Sequence, residues 1–171
     1  MSALLLILKR IAHSRWYWLS ILIIGIAMLA VALGYQYLLD ERPCVLCIQV
    51  RLWVSLMVLF AGLGLFLHDS PRLNSMIQLF MLMIALGLVD RSYQLLGTER
   101  GFLIGDCAFD LGFPAWFAID QWLPALYGVK TSCGYTPVLL FGITMAEALM
   151  VMSVFFALLS LLLLLVSFKR E

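Results

Sequence analysis

Four apolar runs, each long enough to cross a bilayer, constrain this chain more than anything else in it. In windows of about 19 residues they read roughly Trp16 to Leu39, Cys47 to Leu67, Leu73 to Val89, and a long one from about Val138 to Phe168. A helix needs about 20 residues to cross ~30 Å of hydrocarbon, so four such helices use most of the 171 residues. Composition agrees: 64% of residues are hydrophobic and 12% charged, against about 25% charged in soluble domains, and the mean hydropathy is +1.06. The chain therefore reads as one integral membrane domain over 1–171, an all-α bundle of four transmembrane helices with spans near 16–39, 47–67, 73–89 and 146–168. No room remains for a separate soluble catalytic domain, and any chemistry must sit in loops or at helix ends.

The first run also has the marks of a cleaved leader, with the basic flank "KRIAHSR" and the small residues Ala30 to Ala32. It is longer than the about 7 to 15 residues of a signal-peptide core, so a retained span is expected. Positive charges then set the orientation. Lys9, Arg10 and Arg15 precede the first span, Arg72 lies in the tight "HDSPR" loop between the second and third, and Lys169 and Arg170 follow the fourth. Four spans put all of them on one face, which the positive-inside rule makes cytoplasmic together with both termini. The other face carries a short loop near Asp40 to Pro43 and a long one over about 90–137, with Glu99, Asp106, Asp110 and Asp120. A net charge of +1 offers no signal for nucleic acid.

This topology places Cys44, Cys47, Cys107 and Cys133 on the non-cytoplasmic side, where disulfides persist. Two disulfides, or one exchanging set of four thiols, are both compatible with that placement. Cys107 and Cys133 are far enough apart to act as a structural staple, but a Cys-x-x-Cys loop is too small to restrain much chain. A zinc site is disfavoured: the second two cysteines lack paired spacing, and His13 and His68 fall on the opposite face.

In "ERPCVLCIQVRLWV", residues 41–54, Pro43 suits the first position of a helix, so both cysteines are expected in its opening turns. There the free N–H groups and the positive end of the helix dipole favour a thiolate. Cys44, Cys47 and Arg51 are spaced i, i+3, i+7 and stack along one face. A charge inside a span is costly and marks a functional position, although an arginine so near the surface can also snorkel to it. The sharper expectation is a cation that stabilises the Cys47 thiolate and donates a hydrogen bond to a carbonyl or oxyanion.

These residues resemble the bacterial disulfide bond formation protein B family, the membrane partners of DsbA. The resemblance rests on "PCVLC" followed by Arg51, and on "CAFDLGFPAWFAIDQWLPAL" from Cys107, ahead of the last cysteine, Cys133. It implies a quinone-dependent thiol:disulfide oxidoreductase in the bacterial inner membrane with its cysteines periplasmic. By resemblance, Cys44 and Cys47 are the pair beside a bound quinone (ubiquinone or menaquinone), and Arg51 is the arginine that helps bind it. Cys107 and Cys133 are the loop pair that takes electrons from a DsbA-like thioredoxin-fold partner. The implied resting pairing is Cys44 with Cys47 and Cys107 with Cys133; Cys133, once released, exchanges with Cys44, and Cys47 delivers electrons to the quinone. The aromatic stretch with Phe113, Trp116, Phe117, Ile119 and Trp122 has the composition of a segment on the headgroup boundary, where it would hold the loop cysteines near Cys44.

Two departures from the family pattern stand near the implied quinone region. Ala146 and Ala148 occupy positions where proline and tryptophan are expected, and Ser92 stands where a histidine commonly follows the arginine, here Arg91. Vitamin K epoxide reductase-like proteins are another four-helix quinone relay, but their active pair is described in the last spans. A disulfide-stapled tetraspan scaffold without enzymatic activity is the third reading; it predicts that Arg51 is dispensable. Glu147 is expected near the outer interface as an ordinary exposed acid.

Overall fold

The computed structural model describes residues 14–103, 119–131, 137–138 and 142–168. They form helices α1 (Arg15–Leu38), α2 (Val45–Leu67), α3 (Pro71–Glu99), the single-turn α4 (Ile119–Trp122) and α5 (Pro124–Tyr127), and α6 (Met145–Phe168). The four long helices are apolar enough to cross a membrane, giving the all-α four-span bundle that the apolar runs predict. Among the described residues, β-structure is limited to two isolated bridges.

Each long helix begins at a residue chemically suited to the task. The Ser14 side chain accepts from Trp16 N at 3.2 Å to cap α1, and α3 opens on Ser70 with Pro71 in its first turn, where a missing N–H is no loss. At α6, Thr144 and Glu147 form a reciprocal capping box. Thr144 N donates to Glu147 Oε2 at 3.2 Å, and Glu147 N donates to Thr144 Oγ1 at 3.3 Å. This delays the helix to Met145 although the apolar run begins near Val138, since Met145 N is first turned back onto Pro137 O at 3.0 Å.

The third apolar run ends at Val89, but α3 continues to Glu99. At 1.5 Å per residue its 29 residues span about 43 Å, well beyond ~30 Å of hydrocarbon. Hydropathy measures compatibility with lipid, not helicity. The polar residues after Val89 stay helical because they satisfy one another, with Arg91 Nε 3.3 Å from Asp90 Oδ2 and Gln94 Nε2 3.1 Å from the same oxygen. The helix stops where Gly101 adopts φ +74, the left-handed conformation that ends helices at glycine.

α1 packs on α2, α2 on α3, and α3 on α6. Glycines mark close approaches between helices, as small residues do at interfaces inside a membrane: Trp18 lies over Gly64, Trp53 over Gly87, and Val58 against Gly25. Trp18, Ala61, Met81 and Leu163 are completely buried in the central cluster, whereas Ile26, Phe66, Phe80 and Phe155 are turned outward.

Candidate functional site

The α1–α2 junction builds the site. Cys44 is the N-cap of α2, and its Sγ accepts from Cys47 N at 3.3 Å. Pro43 therefore stands one residue outside the helix, not at its first position as the sequence suggests, because the thiol takes the capping role. Cys44 is 1% exposed and packs with Leu46, Leu95 and Ala146. Cys47, half-buried, packs against the same cluster and also lines a cavity.

One turn further along α2, Arg51 is 8% exposed. It does not snorkel to solvent. Its Nη1 donates to Gln36 Oε1 and to Leu126 O at 3.2 Å, and its Nη2 donates to Ala32 O at 3.0 Å. These acceptors are neutral, so the cation is held by dipoles from α1 and α5.

Arg51 and Cys47 face the same cavity, about 340 Å³, lined by α1, the junction Glu41–Pro43, α2, Leu95 of α3, Pro137 and α6. Its walls are mostly aliphatic and include Met28, Val31, Val54, Leu149 and Met152, while Tyr35, Gln36, Glu41, Arg42, Cys47 and Arg51 supply polar groups. By chain position those polar groups gather at the end of the bundle where α1 finishes and α2 starts. From Cys47 to Val54 the cavity follows α2 for about 10 Å. The arrangement suits a molecule with a polar head that accepts hydrogen bonds and an apolar remainder.

The residues that depart from the family pattern sit around this region. Ala148 lines the cavity, Ala146 is completely buried beside Cys44, and Ser92 is completely buried in α3. Arg91 turns to Gln49 and Gln94, at 3.1 and 3.2 Å.

The described part of the long loop is fastened to the same place. Tyr37 Oη and Gln36 Nε2 donate to Ala125 O at 2.6 and 3.3 Å, and the Ser55 and Tyr127 hydroxyls are 2.7 Å apart. Lys130 N donates to Pro43 O at 3.0 Å, and Thr131 forms a parallel bridge with Cys44. Cys107 and Cys133 lie outside the described residues, as do Phe113, Trp116 and Phe117. Of the aromatic stretch, Ile119 is half-buried and Trp122 is 62% exposed.

Sequence reasoning overlooks Gln36, the buried amide beside Arg51; its one signal is a polar residue between tyrosines in the last turn of an apolar run. It also takes Glu147 for an ordinary exposed acid, whereas Glu147 caps α6 and forms an ion pair with Arg100. The "TMAE" capping pattern carries that information.

A family model described as "Disulfide bond formation protein DsbB" matches residues 14–163. Similar proteins include "Disulfide bond formation protein B 2" of Pseudomonas aeruginosa, 32% identical over 148 residues that cover 85% of each chain. "Disulfide bond formation protein B" of Shewanella sp. (strain MR-4) is 33% identical over 150 residues, 83% of this chain and 82% of that one. The protein of the same description from Haemophilus influenzae (strain 86-028NP) is 29% identical over 175 residues, 94% of this chain and 92% of that one. A match across all four candidate spans, with similarity sustained along nearly whole chains, means that this multi-pass membrane protein belongs to the DsbB family of disulfide bond formation proteins, with the thiol oxidoreductase role that family membership implies.

Proposed function

We propose that the protein reoxidises a periplasmic DsbA-like thioredoxin-fold partner and passes the electrons to a membrane quinone, ubiquinone or menaquinone. The observation that carries this reading is that Cys47 and Arg51 line one apolar cavity. In this reading the chain sits in the bacterial inner membrane with both termini cytoplasmic and the dithiol at the periplasmic surface.

A partner thiolate attacks the sulfur of Cys107 and releases Cys133 as a thiolate; Cys133 then attacks Cys44 and releases the Cys47 thiolate. The second partner thiol resolves the mixed disulfide and frees Cys107, which attacks Cys133. The loop disulfide reforms, and Cys44 and Cys47 remain as the reduced pair. The bridge from Thr131 to Cys44 supports the exchange, because Cys133 is only two residues further along the chain, a covalent reach of about 7 Å. At the other end of the relay, the aliphatic walls offer an apolar seat, while Arg51 donates to an acceptor oxygen and stabilises the Cys47 thiolate. A bound quinone would supply the oxidising capacity, accepting two electrons and two protons.

The test uses full-length protein in lipid nanodiscs with a reduced thioredoxin-fold partner and quinone, following quinone absorbance. Catalytic oxidation is expected. Cys107→Ser and Cys133→Ser should stop turnover with the partner yet leave a dithiol that still reacts with quinone; Cys44→Ser and Cys47→Ser should abolish electron delivery to quinone. A hydrogen bond to a charged group contributes about 1.5 to 3 kcal/mol. Arg51→Ala should therefore raise the apparent KM for quinone roughly tenfold or more, at ~1.4 kcal/mol per decade. Arg51→Lys, which keeps the charge but loses the planar fork, should fall between. Unchanged kinetics in Arg51→Ala would remove Arg51 from the quinone site.

A further inference from the structure

Gln36 is 5% exposed and uses both ends of its amide. Its Nε2 donates to Ala125 O at 3.3 Å and its Oε1 accepts from Arg51 Nη1. A backbone carbonyl can only accept and a guanidinium can only donate, so this pair of partners determines which way the amide faces. Arg51 has five N–H donors; three are held by Gln36, Leu126 O and Ala32 O, and the other two have no acceptor among the described residues. The cavity is lined by Gln36 and Arg51 but by no residue of α5, although α5 is bonded to both. Gln36 and Arg51 thus join the cavity to the loop helix.

We propose that Gln36 is a positioning residue: it sets the Arg51 guanidinium for the cavity and, through the same amide, holds α5, so that occupancy of the cavity and docking of the loop segment 119–131 are coupled. The inference rests on the quinone reading above. A ligand oxygen that takes the two remaining N–H groups immobilises the guanidinium without displacing Leu126 O. Binding and docking therefore favour each other, and the coupling is reciprocal.

The experiment measures hydrogen–deuterium exchange of residues 119–131 in full-length protein in nanodiscs, with and without a short-tailed benzoquinone, beside equilibrium dialysis of the same quinone. In the unmodified protein, quinone should slow exchange in this segment about fivefold or more. Gln36→Leu, which removes both ends of the amide, should speed exchange in the segment, weaken quinone binding by a similar factor and abolish the quinone effect on exchange. Gln36→Glu keeps an acceptor for Arg51 but loses the donor to Ala125 O; the segment should exchange faster, and by reciprocity quinone binding should weaken, by no more than the coupling factor and less than in Gln36→Leu, while added quinone still slows exchange. A merely structural glutamine would leave no such matched change in the two readouts, and Gln36→Glu decides the matter if Gln36→Leu aggregates. Equal exchange with and without bound quinone in the unmodified protein would overturn the coupling and leave the quinone reading standing. An unmodified protein that binds no benzoquinone would overturn both.

Discussion

Cys44 combines two roles in one sulfur. In the proposed relay it is the atom attacked from the loop, and in the fold it caps α2 by accepting from Cys47 N. The roles can be separated by substitution. Serine is among the best N-caps, and losing a cap costs about 1 kcal/mol, so Cys44→Ser should unfold close to the temperature of the unmodified protein while Cys44→Val unfolds earlier. Both should be inactive in thiol exchange. Thermal unfolding in detergent checks this; equal loss in the two variants would mean that the 3.3 Å contact is not a stabilising cap. The spacing of Cys44, Cys47 and Arg51 was legible in the sequence because helical periodicity is local. The partners of Arg51 were not, since Gln36 and Leu126 come from other elements and nothing in the segment from Cys44 to Arg51 encodes them.

At the scale of elements, glycine separates closely packed positions from open ones. A Cβ on Gly64 would stand 2.4 Å from Trp18 Cδ2, whereas one on Gly34 would meet nothing within 4 Å. Gly64→Val should therefore destabilise the protein by about 1 to 3 kcal/mol, the usual cost of overpacking. Gly34→Ala should be neutral or stabilising by up to about 1 kcal/mol, since glycine is a poor helix residue. Unfolding in detergent reports both, and a Gly64 variant as stable as the parent would contradict the close approach of α1 and α2. The number of long helices could be read from the apolar runs alone. Their ends could not: the last turns of α3 are polar, and the start of α6 is set by the Thr144–Glu147 box.

At the scale of the whole molecule, the positively charged termini and the Arg72 loop are expected on one side of the membrane and Cys47 on the other. A single-cysteine variant carrying Ser70→Cys, with the four native cysteines replaced by serine, should resist a membrane-impermeant maleimide in intact spheroplasts and react after lysis. One retaining only Cys47 should react without lysis, at a rate limited by its half-burial. Labelling of the Ser70→Cys variant in intact spheroplasts would reverse the orientation. This outcome depends on the asymmetry of charge between loops, which needs no tertiary structure to read.

The sequence by itself determined the class of fold and the redox character. Apolar runs of spanning length leave few alternatives to a helical bundle, and the proline–dithiol–arginine segment is confined to one helix start. Only the tertiary structure decided that α1, α2 and α6 leave a cavity onto which Cys47 and Arg51 both open, and that the loop helix is tied to Arg51 through Gln36. The physical reason is range. Hydropathy and helical spacing act over a few turns of one chain segment, whereas a cavity and a shared guanidinium arise from side chains that are remote in sequence and meet only once the helices have packed.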